Sequence, residues 1–117
     1  MKFILLIYHD ERQWERLSDA DHQKIYGEYG NLREELQGKG QLVTGSQLQP
    51  TRTAASIRLR DDKELVTDGP FAETHEQLAG FFLIEAANRS EAIAVAKRIP
   101  SARTGTVEVR PLAERAA

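Results

Sequence analysis

Three side chains in this sequence have the chemistry of an acid/base site: Asp68, His9 and His22. A carboxylate that orients or activates an imidazole, at a separation of about 3 Å or through one water, is a common arrangement for moving protons. Asp68 begins the segment Asp68-Gly69-Pro70-Phe71. Pro70 has no N–H, so the usual hydrogen bond from an Asp to the residue two places on cannot form. The carboxylate must therefore bond elsewhere in its loop or face a cavity.

Each of these residues also has a purely structural interpretation. His9 follows a run of apolar residues and is typical of a strand end. His22 lies three residues before Ile25 on an apolar helix stripe, where a half-buried, hydrogen-bonded histidine is common. Asp68 beside Gly69 is an ordinary turn former. The sequence thus leaves open whether the chain is an enzyme.

Six further residues are candidates for ligand binding, because they belong to the same loop or are expected at the same end of the fold. They are Gly69, Pro70, Phe71, Glu73, Tyr26 and Arg103. The three histidines show neither HxxxH nor HxH spacing, and the chain has no cysteine, so we predict no metal site. A P-loop and a dinucleotide-binding glycine pattern are also absent from the sequence, and we expect no cofactor.

Hydrophobic patterns predict the elements that position these residues. The runs Lys2–His9 and Gly80–Ala86 are apolar on both faces, which is typical of central strands. Ser18 is a favourable cap for a first long helix, and Asn88 for a second that ends at Pro100. A capping-box pattern that begins at Thr74 predicts one short helical turn before Gly80.

Four shorter strands complete the predicted elements. The strands are Gln41–Leu48, Ala55–Arg60, Glu64–Thr67 and Gly105–Arg110, and the middle two form the hairpin around Asp61-Asp62-Lys63. Asp10–Leu17 is polar, and we expect it to be irregular and anchored by Trp14.

Without the small hairpin, the predicted order is β-α-β-β-α-β, which indicates an α+β, ferredoxin-like fold. In that topology His9, His22, Asp68, Glu73 and Arg103 all lie at one end of the sheet. Two helices cover only one face of such a sheet, and the other face would expose part of the apolar strands. A patch of this kind usually marks an interface, so we predict a homodimer packed sheet to sheet.

The segment Thr67–Glu85, TDGPFAETHEQLAGFFLIE, resembles the signature of the DGPF proteins, a branch of the YCII-related family. The likeness continues through Gly40–Pro50 and through Ala54–Asp61. It implies a bacterial, ferredoxin-like subunit in a dimeric α/β-barrel type of assembly. Some YCII relatives are thought to use a His–Asp pair as acid and base, and one branch dechlorinates an aromatic substrate. Many DGPF genes neighbour genes for extracytoplasmic-function sigma factors, which implies a possible regulatory partner.

Length and composition limit the classes of function. With 117 residues we expect a single domain over residues 1–112, followed by a frayed tail over 113–117. The net charge of −2 and the mixing of both signs argue against a nucleic-acid partner. The longest apolar runs are too short for a signal peptide or a membrane span, so we expect a soluble cytoplasmic protein without membrane contact.

Three functions of different classes remain after this reasoning. The first is a small-molecule enzyme or binder, with Asp68 as base or orienter and His22 or His9 as proton partner. The second is a regulatory interaction protein associated with a sigma factor, in which the DGPF loop is a structural clip. The third is a dimeric scaffold without a ligand. A pocket with apolar walls and a few convergent polar groups favours the first, which we prefer.

Overall fold

The computed structural model describes residues 1–114 and shows an α+β chain. Its helices and strands are, in order, β1 (Lys2–His9), α1 (Glu11–Arg16), α2 (Asp19–Gly38), β2 (Leu42–Gln47), β3 (Ala55–Arg60), β4 (Lys63–Asp68), β5 (Gln77–Glu85), α3 (Arg89–Ala96) and β6 (Thr106–Pro111). Short 3₁₀ turns cover Thr51–Thr53 and Pro100–Arg103. The tail predicted over residues 113–117 lies largely outside the described residues.

The main sheet has four strands in the order β2-β5-β1-β6, and the paired strands are antiparallel. β1 and β5 are the two central strands, as their apolar patterns predicted. In their register Leu5 lies opposite Phe82, and Leu6 lies opposite Phe81. This order, with α2 and α3 as the connections, is compatible with a ferredoxin-like fold.

The hydrophobic core lies between α2, α3 and one face of the sheet. Its buried side chains are Phe3, Leu5, Ile7, Leu32, Leu36, Phe82, Ile84, Ala86, Ala92, Val95, Ala96 and Ile99. On the opposite face Ile4, Leu6, Phe81 and Leu83 are only partly buried. The helices therefore cover one side of the sheet, and the second side is apolar and uncovered in the subunit.

Both predicted helix caps are confirmed. The N–H of Asp21 donates to Ser18 Oγ over 3.1 Å. The N–H of Glu91 donates to Asn88 Oδ1 over 2.9 Å. Each bond satisfies one of the backbone donors that the first turn of a helix leaves without an intrahelical partner.

Two local predictions are wrong. The segment expected to be irregular contains α1, which Asp10 caps by accepting from the N–H of Arg12 over 2.9 Å. The helical turn expected at Thr74 is absent, because β5 begins three residues earlier than predicted, at Gln77. The Gln77 side chain, expected to reach back to Thr74 in a capping box, instead accepts from the N–H of Glu11 over 3.0 Å and joins the start of β5 to α1.

The strands β3 and β4 form a separate two-stranded hairpin, which we call the arm. Asp61 and Asp62 take left-handed φ values of 52° and 61° at its tip, as a tight hairpin turn requires. Ile57, Leu59 and Val66 are exposed by 64%, 68% and 57%. The radius of gyration is 16.4 Å, whereas a compact chain of this length has about 13 Å. The arm therefore extends away from the body of the subunit.

Gly69, at the base of the arm, has a φ of 93°, which confirms the predicted turn geometry. We expect Gly69→Ala to lower the free energy of unfolding by about 1 kcal/mol, because a side chain disfavours this region of φ. Urea denaturation measures this loss. Gly38→Ala is the control, since its φ is not positive and an added Cβ meets no atom within 4 Å. Equal midpoints for wild type and Gly69→Ala would contradict the strain.

Candidate functional site

A cavity of about 260 Å³ lies between α2 and the core-facing side of the sheet, near the end of β1 that carries His9. Its walls combine aromatic rings with a few polar groups. The lining side chains include His9, Trp14, Tyr26, Tyr29, Arg33, Gln47, Phe82 and Ser101, and Gly30 contributes backbone. The mixture of apolar walls and convergent polar atoms is typical of small-molecule sites.

Trp14 is the centre of an aromatic cluster at one end of the cavity. Its ring stacks on His9 with centroids 5.5 Å apart, and on His22 with centroids 4.3 Å apart. Tyr26 meets the edge of Trp14 at 5.6 Å. The backbone carbonyl of Trp14 lies 2.7 Å from His22 Nε2, which donates to it. Helix α1 therefore positions one wall of the cavity and holds His22 behind that wall.

His9 belongs both to the cavity wall and to the aromatic cluster around Trp14. Burial lowers the pKa of His9 below its usual value of 6.5, although the nearby carboxylates of Glu11, Asp10 and Glu76 raise it in part. Among residues 1–114, its ring nitrogens make no hydrogen bond. His9 is therefore a neutral imidazole near pH 7, with a nitrogen free to accept a proton.

Two tyrosines from α2 line the same cavity in different ways. The Tyr29 hydroxyl is hydrogen-bonded to Ser101 Oγ over 2.7 Å. Burial raises the pKa of Tyr29 above its usual value, so its hydroxyl stays protonated at neutral pH. Tyr26 is more exposed, and its hydroxyl accepts from Gln47 Nε2 over 3.4 Å. The pair supplies two hydroxyl groups beside the aromatic walls.

Arg33 is the cation of the cavity. Its Nη1 donates to the carbonyl of Gly45 over 3.1 Å, and its guanidinium carbon lies 5.7 Å from the centroid of the Phe82 ring. Phe82 meets Tyr29 edge to face, with centroids 6.2 Å apart. A Cβ on Gly45 would lie 2.5 Å from Phe82 Cδ1, so glycine leaves the space that this ring occupies.

Of the residues predicted from the sequence, the structure brings His9, His22 and Tyr26 together around Trp14. His9 and Tyr26 line the cavity, whereas His22 stacks on Trp14 and does not belong to the lining. Arg103 borders a neighbouring cleft that also contacts His9 and Trp14. Its guanidinium forms an ion pair with Glu28 at 2.6 Å.

The loop residues form a second group, apart from the cavity lining. Asp68 is exposed at the end of β4, and among the described residues its carboxylate accepts no hydrogen bond. Gly69 holds the loop to the arm, because its N–H donates to Ala54 O over 2.7 Å and its carbonyl accepts from Ser56 Oγ over 2.9 Å. Pro70, Phe71 and Glu73 border an open depression beside Tyr8 and Leu78, on the uncovered face of the sheet.

The sequence reasoning did not identify Arg33, Tyr29 or Phe82 as site residues, and it treated Trp14 only as an anchor. One signal pointed to the helix residues. Tyr26, Tyr29 and Arg33 recur at spacings of three and four, which places them on one face of α2. For Phe82 no local signal exists, because it has the same apolar pattern as its neighbours in β5.

No group of three or more His, Cys, Asp or Glu side chains within residues 1–114 is arranged to hold a metal ion. In the same part of the chain, no helix combines the length and the apolar character needed to span a bilayer.

Comparison with known proteins gives consistent results. The model of the YCII-related domain matches residues 1–115. The uncharacterized protein R00369 of Rhizobium meliloti (strain 1021) is 36% identical over 115 residues, which are 97% of this chain and 93% of the relative. Both matches extend over the arm, the loop and every residue of the cavity. The chain therefore belongs to the YCII-related family.

Proposed function

We propose that this chain binds a small organic molecule in the cavity between α2 and the sheet, and that His9 is its acid/base group. One observation carries the proposal: a neutral, unbonded imidazole and a guanidinium share a cavity with aromatic walls. A filled interior at this end would have favoured the scaffold hypothesis. At about 260 Å³ the cavity lies just below the usual range for ligand sites, about 300–1,000 Å³, and suits a small ligand.

The proposal assigns the proton chemistry to His9 rather than to a His–Asp pair. Asp68 is exposed and does not line the cavity, and His22 already donates its Nε2 proton to Trp14 O. His9 would accept a proton from a bound ligand, and the Tyr29 hydroxyl would donate a hydrogen bond to the same ligand. The same groups would also serve a protein that binds its ligand without reaction.

The test uses two glycines of α2. Gly30 borders the cavity and Gly27 does not, and an added Cβ at either position meets no atom within 4 Å. We expect Gly30→Leu to weaken binding of one-ring aromatic compounds by about tenfold or more, because its side chain competes for the cavity. Gly27→Leu should leave binding unchanged. Both should stabilise the helix by a similar amount, about 0.5–1 kcal/mol.

Ligand-observed NMR and the fluorescence of Trp14, the single tryptophan, measure binding. Wild type is screened first against a panel of such compounds, and each hit is then titrated into both variants. Equal affinities in Gly30→Leu and wild type would place any binding outside the cavity. A panel without a single hit would contradict the proposed function.

We also propose that the chain is a DGPF-type member of its family and forms a homodimer packed sheet to sheet. Asp68-Gly69-Pro70-Phe71 supports the first part. The uncovered face, with Ile4, Leu6, Phe81 and Leu83, supports the second. Phe71 is 79% exposed and shares a depression with Tyr8 and Leu78, so the apolar surface continues from the sheet into the loop. A second subunit would remove this surface from water.

Light scattering at micromolar concentration should give a mass near twice 13.2 kDa for wild type. Phe81→Glu should give a monomer with an unchanged circular dichroism spectrum, because the carboxylate would have to be buried at the interface. Val43→Glu is the control, since Val43 is an exposed residue of the edge strand β2. A monomeric wild type would rule out the dimer, and a dimeric Phe81→Glu would rule out this face.

A further inference from the structure

Arg33 differs from the four arginines that form ion pairs with acidic side chains in the described residues. Arg52, Arg98, Arg103 and Arg110 each lie beside a carboxylate, respectively of Glu15, Glu35, Glu28 and Glu108. Arg33 is half-buried, and within residues 1–114 its guanidinium has no acidic partner. Its contacts are the neutral carbonyl of Gly45 and the face of Phe82. A partly desolvated guanidinium stays charged and has five N–H donors, so most of its hydrogen-bonding capacity is unused.

The cavity contains no group that neutralises Arg33. No Asp or Glu belongs to its lining, and the other polar side chains there are hydroxyls, the amide of Gln47 and His9. Burial keeps His9 neutral near pH 7. The interior of the cavity therefore has one positive charge, and a bound anion would remove the cost of leaving it uncompensated.

The shape of the cavity restricts what that anion can be. Trp14, Tyr26 and Phe82 present ring faces and edges, and rings of this kind bind flat π-systems by stacking and edge contacts. A single guanidinium matches one carboxylate, which it can hold through two parallel N–H bonds. The volume of about 260 Å³ limits the ligand to one or two rings.

From these observations, we infer that the ligand is a small, flat organic acid with one carboxylate, and that Arg33 holds the carboxylate while the aromatic walls hold the ring. The inference rests on the proposed function, because it needs the cavity to be the binding site. It adds the charge and the shape of the ligand, together with a role for Arg33 as the residue that selects an anion.

Three probes of similar size separate charge from shape: benzoate, benzamide and cyclohexanecarboxylate. Benzamide has the ring without the charge, and cyclohexanecarboxylate has the charge without the flat ring. We expect wild type to bind benzoate about tenfold more tightly than benzamide, because a charge-assisted pair replaces a neutral hydrogen bond. Cyclohexanecarboxylate should bind about threefold or more weakly than benzoate, since its ring is not flat and cannot stack. NMR titration at pH 7 gives all three dissociation constants.

The variants identify the residue responsible. Arg33→Gln should bind benzoate and benzamide with similar affinity, and Arg33→Lys should retain part of the preference for the anion, because it keeps the charge but not the fork of donors. Arg103→Gln is the matched control, since Arg103 is paired with Glu28 and does not line the cavity. Circular dichroism melts establish that each variant is folded before it is titrated.

Each result of this experiment has one interpretation. Equal binding of benzoate and benzamide by wild type, with both lost in Gly30→Leu, would overturn the anion inference and leave the proposed function in place. Equal binding of benzoate and cyclohexanecarboxylate would overturn the flat shape. An anion preference that survives Arg33→Gln would overturn the role of Arg33. Failure of all three probes, while another compound of the aromatic panel binds in the cavity, would overturn this inference and leave the proposed function in place; a panel without any hit would contradict the proposed function itself.

Discussion

Phe82→Ala is expected to lower the free energy of unfolding by about 3 kcal/mol, which is the largest effect of any substitution we predict. Phe82 is 3% exposed at the centre of β5 and packs against Tyr29 and under Arg33. Replacing a buried Phe by Ala removes apolar contacts and leaves a void that the surroundings fill only in part. The void here would join the existing cavity. The guanidinium of Arg33 would also lose the ring beneath it.

Urea denaturation of Phe82→Ala, Phe82→Leu and Phe71→Ala tests this expectation. Phe82→Leu keeps most of the apolar volume and should cost about half as much as Phe82→Ala. Phe71→Ala makes the same chemical change at a side chain that is 79% exposed in the subunit, so its cost within the subunit should be less than about 0.5 kcal/mol. Any further loss that depends on protein concentration belongs to the proposed dimer contact. A Phe82→Ala midpoint close to that of Phe71→Ala would contradict the packing of this ring.

The alternation of apolar residues was sufficient to predict most of the main sheet. β1 and β5 are apolar on both faces, and no other strand within residues 1–114 shares that pattern, so their central place followed from the sequence. The caps at Ser18 and Asn88 were also predictable from local sequence. A short polar side chain just before an apolar helix stripe is strongly favoured to accept a hydrogen bond from a backbone N–H of the first turn.

Long-range contacts explain what the sequence did not reveal. Thr74 and Gln77 satisfy a local capping rule, but Gln77 is bonded to Glu11, which is distant in the sequence, and it continues β5. Asp10 caps a helix of only six residues, too short to show a periodic apolar pattern. In both segments a partner elsewhere in the chain decides the local conformation.

The residues of the candidate site divide in the same way, into those that the sequence predicted and those that depend on contacts distant in the sequence. His9 and Tyr26 were predicted as site residues from topology, and both line the cavity. We selected Asp68 as a site residue because Pro70 removes its local hydrogen-bond partner. Its carboxylate neither bonds elsewhere in the loop nor faces the cavity, because the arm holds it in solvent. The sequence did not indicate that β3 and β4 leave the body of the subunit. The two strands extend from the body because, within residues 1–114, they have no apolar surface beneath them to pack against. The local sequence pattern of a hairpin does not encode whether such a surface exists.

Trp14→Ala is expected to lower the free energy of unfolding by about 2 kcal/mol and to raise the pKa of His9 toward 6.5. Trp14 is only partly buried, so its loss costs less than that of Phe82. Its ring covers His9 at a centroid distance of 5.5 Å, and burial is the largest cause of the lowered pKa. Removing the ring admits water, and the carboxylates of Glu11, Asp10 and Glu76 then offset more of the remaining effect of burial on this pKa.

The pKa of His9 also has a consequence for stability. Because folded wild type binds this proton more weakly than the unfolded chain, its free energy of unfolding should fall as the pH drops below about 6.5, until His9 is protonated in the folded state as well. The stability that comes from keeping His9 neutral in the folded state is fully present above pH 6.5. It should shrink in Trp14→Ala and disappear in His9→Gln, whereas Trp14→Phe, which keeps a stacked ring, should retain it.

NMR titration of the three histidines, assigned with His9→Gln, measures the pKa directly, and urea denaturation at pH 7.5 and pH 5.5 measures the change in stability. His75→Gln removes an exposed histidine and controls for the loss of the residue type. A His9 titration that is the same in Trp14→Ala and wild type would mean that Trp14 does not shield this imidazole. A wild-type His9 pKa at or above 6.5 would show that the cavity lacks the neutral base that the proposed function assigns to it.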